Sequence, residues 1–166
     1  MTDQRKVAIV RWRGQAASAE GGLTDLLAAY HLRTQAEKGE AVAGVDELSE
    51  RYRTEILDPR TAFVDDVVLL AVGGDSVVGC LVVTIPIDGR SELKRLWTDP
   101  TVRSLGIASS LVGTALEYAA ESGVYAVRLS VWEWRADAIA LYERFGFTIT
   151  DSWDERDQLV CMESVV

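Results

Sequence analysis

Arg103, Ser104, Leu105, Gly106, Ile107 and Ala108 form a run led by a cation and rich in small residues, placed just before a stretch of helical apolar spacing. A helix that opens there turns several unpaired backbone N–H groups outward, and its dipole adds positive potential. Such a turn can hold phosphate oxygens. Gly106 lets the backbone come close, small Ala108 and Ser109 leave the approach clear, and Arg103 can add a charge-assisted contact. By spacing alone, the run is equally a strand-to-helix turn whose glycine serves a local need. A Walker loop is excluded by the missing Gly-Lys-Ser/Thr ending, and a dinucleotide fingerprint by Ser104 and Ser109, which stand where glycines belong.

The elements around this turn can be read from apolar periodicity. Val7 to Trp12 predicts a strand and Gly14 to Gly22 a loop. Leu23, Leu26, Leu27, Tyr30 and Leu32 mark one helix; Val45, Leu48, Tyr52, Ile56 and Leu57 mark a second, ended by Asp58 and Pro59. Val67 to Val72 and Val77 to Ile87 flank a turn at residues 73–76 and predict a hairpin, followed by a third strand from Glu92 to Thr98. The helix from Gly106 to Ser122 stops at Gly123. A strand from Ala126 to Trp134, a short helix from Ala136 to Phe145 and two closing strands, Phe147 to Asp151 and Gln158 to Val165, complete the order. The helix after the phosphate turn is long enough for a right-handed crossover, so the strands on either side of it can be parallel neighbours. The expected fold is α/β (α+β): one domain over residues 1–166, with a mostly antiparallel mixed sheet, one parallel pair, and flanking helices.

Composition narrows the chemistry. The 26 acidic residues exceed the 17 basic ones, for a net charge of −9, so nucleic acid is a poor partner and an amine cation a better one. No apolar stretch reaches bilayer length and the start, MTDQRKVAIVRWRG, lacks the apolar region of a secretory signal, so the expectation is a cytoplasmic protein without membrane attachment. Cys80 and Cys161 read as two buried thiols. His31 is the single histidine, which argues against a metal site and against a Ser-His-Asp arrangement; it reads as a helix-surface residue.

Two motifs at the proper distance resemble the GNAT family of N-acetyltransferases. The first is Arg or Gln, two residues, Gly, one residue, Gly or Ala, matched by Arg103, Gly106 and Ala108. The second is a helix ending in Tyr, three residues, Gly-Phe, matched by Tyr142, Gly146 and Phe147. The first 60 or so residues match only in outline, and Arg135 stands where many members carry asparagine.

The resemblance implies acetyl-CoA as co-substrate, no metal, and direct attack of a primary amine in a ternary complex. It also implies a splayed parallel strand pair that receives the pantetheine arm. Backbone groups of Leu96, Trp97 and Thr98 would bond that arm, with the Leu96 N–H polarising the thioester carbonyl. The segment Arg103 to Ser109 would hold the pyrophosphate, and Arg135 is a further candidate for a CoA phosphate. Tyr142 would stabilise or protonate the departing thiolate, and Glu92 is the best-placed carboxylate for a general base. Strand alternation puts Glu92, Lys94, Leu96 and Thr98 on one face unless a bulge intervenes, which leaves Glu92 open to a salt bridge with Lys94 or Arg128 instead. Tyr30, Trp97, Trp132, Glu133 and Trp134 are candidates for the wall of a small-molecule or peptide amine site, as a cation-binding surface or as packing. Two alternatives stay open: another acyl-CoA, whose carboxylated chain Lys94 or Arg95 could meet, and a CoA-binding regulatory module without transfer activity; a homodimer is compatible with each reading.

Overall fold

The runs of β-branched and apolar residues at β2 (Val67–Gly73) and β3 (Ser76–Val83) close a hairpin over Gly74, whose φ of 61° is the left-handed conformation a tight turn demands. The computed structural model describes residues 7–14, 17–103 and 106–166. Around the hairpin lie β1 (Val7–Trp12), β4 (Arg90–Thr98), β5 (Ala126–Trp132), β6 (Thr148–Ile149) and β7 (Leu159–Val165). They form one seven-stranded sheet in the order β1-β2-β3-β4-β5-β7-β6, in which only β4 and β5 run parallel. The helices are α1 (Ala17–Glu37), α2 (Glu50–Leu57), α3 (Pro59–Ala62), α4 (Ile107–Glu121) and α5 (Ala136–Arg144).

Alternation along the strands sends side chains into two cores. On one face, Leu111, Val112 and Ala115 of α4 pack with Leu69, Leu81 and Leu93 from β2 to β4 and with Val127, Leu129 and Met162 from β5 and β7. On the other, Leu23 and Leu27 of α1 and Ile56 of α2 cover Val68, Leu70, Cys80 and Val82. Both cysteines are buried free thiols, and desolvation pushes the Cys80 thiol up to about 12.

Several boundaries move. The segment read as a loop from Gly14 to Gly22 is largely helical, since α1 begins at Ala17. Gly22 is there for contact: a Cβ on it would sit 2.7 Å from that of Val77, so the helix lies directly on β3. The strand expected to reach Ile87 ends at Val83. Residues 84–89 lead instead into a second tight turn, with φ of 53° at Asp88 and 76° at Gly89. The helix predicted to begin at Val45 is a single 3-10 turn there, and α2 starts at Glu50 behind the Ser49 cap. Glu133 and Trp134 leave the sheet after Trp132.

Candidate active site

β4 and β5 pair only at Arg90 with Ala126, Ser91 with Val127 and Glu92 with Arg128, and then part. Lys94 faces Val82 and Trp97 faces Cys80, so Arg95 and Leu96 together oppose Leu81 as a bulge, with Arg95 at φ 61°. The Asp99 N–H donates to the Val78 carbonyl at 2.8 Å, which keeps Trp97 and Asp99 hydrogen-bonded toward β3 and turns the backbone of Leu96 and Thr98 toward the opening. The bulge also breaks the expected alternation. Leu96 joins the α4-side core, whereas Lys94 lies under the Phe63 ring and Trp97 packs on the opposite core, so Glu92, Lys94, Leu96 and Thr98 do not share a face.

At the far end of the opening stands the start of α4. Gly106 caps it at φ 78° with no side-chain cap, and its carbonyl accepts from Ser110 at 3.0 Å. The N–H groups of Ile107, Ala108 and Ser109 therefore lack helical acceptors. A Cβ at Gly106 would meet nothing within 4 Å, so the glycine is needed for its backbone angle and not for space. Gly106→Ala is expected to cost about 1 kcal/mol, the strain of a left-handed L-residue, and a thermal melt without a lower midpoint would show that the turn needs no such angle. Arg103 folds back on the strand: its Nε donates to the Thr98 carbonyl at 3.1 Å and its guanidinium lies 4.6 Å from the Trp97 ring centroid. Ser104 and Leu105 lie outside the described residues.

The opening widens into a cleft of about 1140 Å³. Glu92, Leu96, Trp97, Thr98, Arg103, Gly106 to Ser109, Arg135 and Tyr142 all line it. Tyr142 is 6% exposed, edge-on to Phe147 at 5.8 Å, and burial pushes its phenol above the ordinary value, against a small opposing effect of Arg135. Arg135 is engaged by the protein itself: it donates to Glu37 Oε1 at 2.9 and 2.8 Å and to Thr34 Oγ1 at 2.7 Å. Trp134 Nε1 donates to the same carboxylate oxygen at 3.1 Å, so the segment after β5 is strapped to the end of α1. Burial raises the Glu37 carboxyl, but the Trp134 and Arg135 donors outweigh it and hold it below its ordinary value. Glu92 forms no ion pair among the described residues, since Lys94 lies on Phe63 and Arg128 on Trp153.

On the side of the cleft formed by α1 and α2 lies a network that the sequence did not disclose. Glu55, 5% exposed on α2, takes Arg95 in a two-bonded pair at 2.8 and 2.7 Å, and His31 Nε2 lies 3.0 Å from its Oε1. His31 is 2% exposed and stacked on Tyr52 at 4.2 Å, which overturns its reading as a surface residue. Burial alone would raise the Glu55 carboxyl; the Arg95 and His31 contacts win and hold it at about 2. Burial lowers the His31 imidazole despite the Glu55 bond, so the ring is neutral and donates through Nε2. Arg95 is thus occupied and offers no free charge to an acyl carboxylate. One signal was available: Lys94, Arg95, Leu96 and Trp97 place two cations before two apolar residues, a pattern that strict alternation cannot satisfy.

Of the aromatic candidates, Tyr30, Trp97, Trp132 and Trp134 line the cleft, while Glu133 is exposed and outside its lining. Trp132 and Trp134 stack at 4.9 Å. No group of three or more His, Cys, Asp or Glu that could hold a metal occurs among the described residues.

Comparison with known proteins agrees with this layout. The model of the Acetyltransferase (GNAT) family matches residues 26–147. An uncharacterized N-acetyltransferase of Escherichia coli K12, YjgM, is 31% identical over 155 residues, covering 91% of this chain and 81% of that protein. An IAA acetyltransferase of Azospirillum brasilense is 33% identical over 105 residues, 60% of this chain and 69% of that protein. Among solved structures, the PaiA N-acetyltransferase of Thermoplasma acidophilum in complex with coenzyme A shares the fold at a TM-score of 0.69, with 18% identity over 96% of this chain and 99% of that one.

Proposed function

Because the chain belongs to the acetyltransferase (GNAT) family and is an N-acetyltransferase, we propose that it moves the acetyl group of acetyl-CoA directly to a primary amine held in the same cleft. The observation that carries this reading is the parting of β4 from β5 after Glu92, with the uncapped start of α4 at its end. An extended chain laid in the opening would meet the backbone of Leu96 and Thr98, and its phosphates would meet the N–H groups of Ile107, Ala108 and Ser109.

In this reading each step is assigned to a side chain or backbone group of the cleft lining. The Leu96 N–H polarises the thioester carbonyl as negative charge develops on its oxygen. Glu92, unpaired in the lining, accepts the ammonium proton directly or through water, and Tyr142 donates a hydrogen bond to the leaving sulfur. Arg103 would have to swing from the Thr98 carbonyl to meet a phosphate, and Arg135 would have to give up its bonds to Glu37 and Thr34 to do the same.

A thermal melt with acetyl-CoA tests the binding half. Ligand at about 100 times its dissociation constant is expected to stabilise the fold by about 2.7 kcal/mol, and no shift at saturation would overturn the reading. Amine-dependent release of CoA thiol tests the transfer half, and binding without release would reduce the protein to a CoA-binding module.

A further inference from the structure

The chain carries a net charge of −9, yet cationic side chains outnumber carboxylates along the cleft. On the half bounded by α1, α2 and the segment before β7, the cations are Arg33, Lys38, Arg51, Lys94 and Arg156. Three of them meet carboxylates. Arg33 lies 3.3 Å from Glu37, Lys38 lies 3.6 Å from Glu40, and Arg156 holds both oxygens of Asp154 at 2.9 and 2.7 Å. Arg51 and Lys94 have no carboxylate partner among the described residues, and Glu92 has no cation.

The aromatic faces give a second, independent observation. Tyr30 is covered by Arg95 and Arg135, Tyr52 by Arg95, Trp97 by Arg103, and Trp132 by Lys38 and Arg156, all within 4.6 to 5.6 Å of the ring centroids. These rings cannot serve as a cage for a substrate cation, because the protein's own cations already occupy them. A polyamine entering this half would meet Arg51 and Lys94, and the lining carboxylates without a cation among the described residues are only Glu92 and the exposed Asp137 at the start of α5.

We propose, on the basis of the transferase reading above, that the acceptor is a zwitterion: a primary amine that also carries a carboxylate, as an amino acid does. Its amine faces Glu92 and its carboxylate faces Arg51 and Lys94. The local excess of positive charge holds the carboxylate, orients the net-neutral acceptor with its amine away from the cations, and rejects di- and polyamines, the reverse of what the chain's overall acidity suggests.

The test measures CoA thiol release from acetyl-CoA with the common L-amino acids, with the carboxamides of the same amino acids, and with spermidine. At least one amino acid is expected to exceed its own carboxamide in kcat/KM by about tenfold or more, the discrimination supplied by one charge-assisted contact. In Arg51→Gln, which alters an exposed side chain of α2, the KM for that acid is expected to rise about tenfold while that for acetyl-CoA stays within about twofold. Carboxamides or spermidine acting as the best acceptors would overturn the proposal and leave the transferase reading intact. Thiol release with no amine at all would overturn both.

Discussion

Tyr142→Phe is expected to lower kcat about 100-fold, within the range of a lost hydrogen-bond donor to developing charge, while the affinity for acetyl-CoA falls by less than about tenfold, the worth of one neutral hydrogen bond. The ring stays in place because its packing against Phe147 does not use the hydroxyl. Burial lifts the Tyr142 phenol above its ordinary value, so it remains a donor throughout the working pH range and contributes no basic limb to the rate profile. The same lift makes full proton transfer to a thiolate more uphill, since an ordinary phenol already lies about 1.5 units above a thiol. Hydrogen-bond stabilisation of the leaving sulfur is therefore the effect that the variant removes. Steady-state kinetics with a separate binding titration checks the split, and equal losses in both would assign Tyr142 to packing.

The second large effect is one of stability. Glu55→Gln leaves the Arg95 guanidinium buried with a neutral partner, and breaking a buried ion pair from one side costs about 3–5 kcal/mol, roughly 10 °C in melting temperature for a chain of this size. The acid response should change with it. The folded Glu55 carboxyl is held at about 2 against an ordinary 4.5, so between those values the unfolded chain binds the extra proton. The contribution is complete above about pH 4.5 and is lost as the pH falls toward 2. His31 acts in the same direction just below 6.5, because burial keeps the folded imidazole neutral while the unfolded one charges. Melts from pH 7 to pH 3 should show a shallower acid loss in the variant; an unchanged slope would mean that Glu55 does not carry it.

Much of this was legible from sequence, and the division has a physical basis. The succession of elements, the antiparallel run from β2 to β4, the parallel crossover and the glycine at the start of α4 follow from local periodicity and turn chemistry, which act over a few residues. That Tyr142, Arg103 and Gly106 to Ser109 line one cleft follows from two motifs on α4 and α5. What escaped depends on contacts between distant segments. Glu55 and Arg95 are 40 positions apart and Glu37 and Arg135 98 apart, and no periodicity links such pairs. His31 looked like a surface residue because its helix is polar on several sides, and only the arrival of Tyr52 and Glu55 buries it. Arg95 looked free because the bulge that aims it at α2 reverses the facing of its strand.

The three residue pairs that join β4 to β5 leave the two halves of the sheet with little backbone connection. Leu111, Val112 and Ala115 of α4 belong to the one core cluster that takes side chains from both halves. The spacing of the halves therefore leans in part on side chains that line no part of the cleft. Enlarging Ala115 or trimming Leu111 would act as a wedge or a slackened shim, altering the width of the opening without touching any residue in the lining.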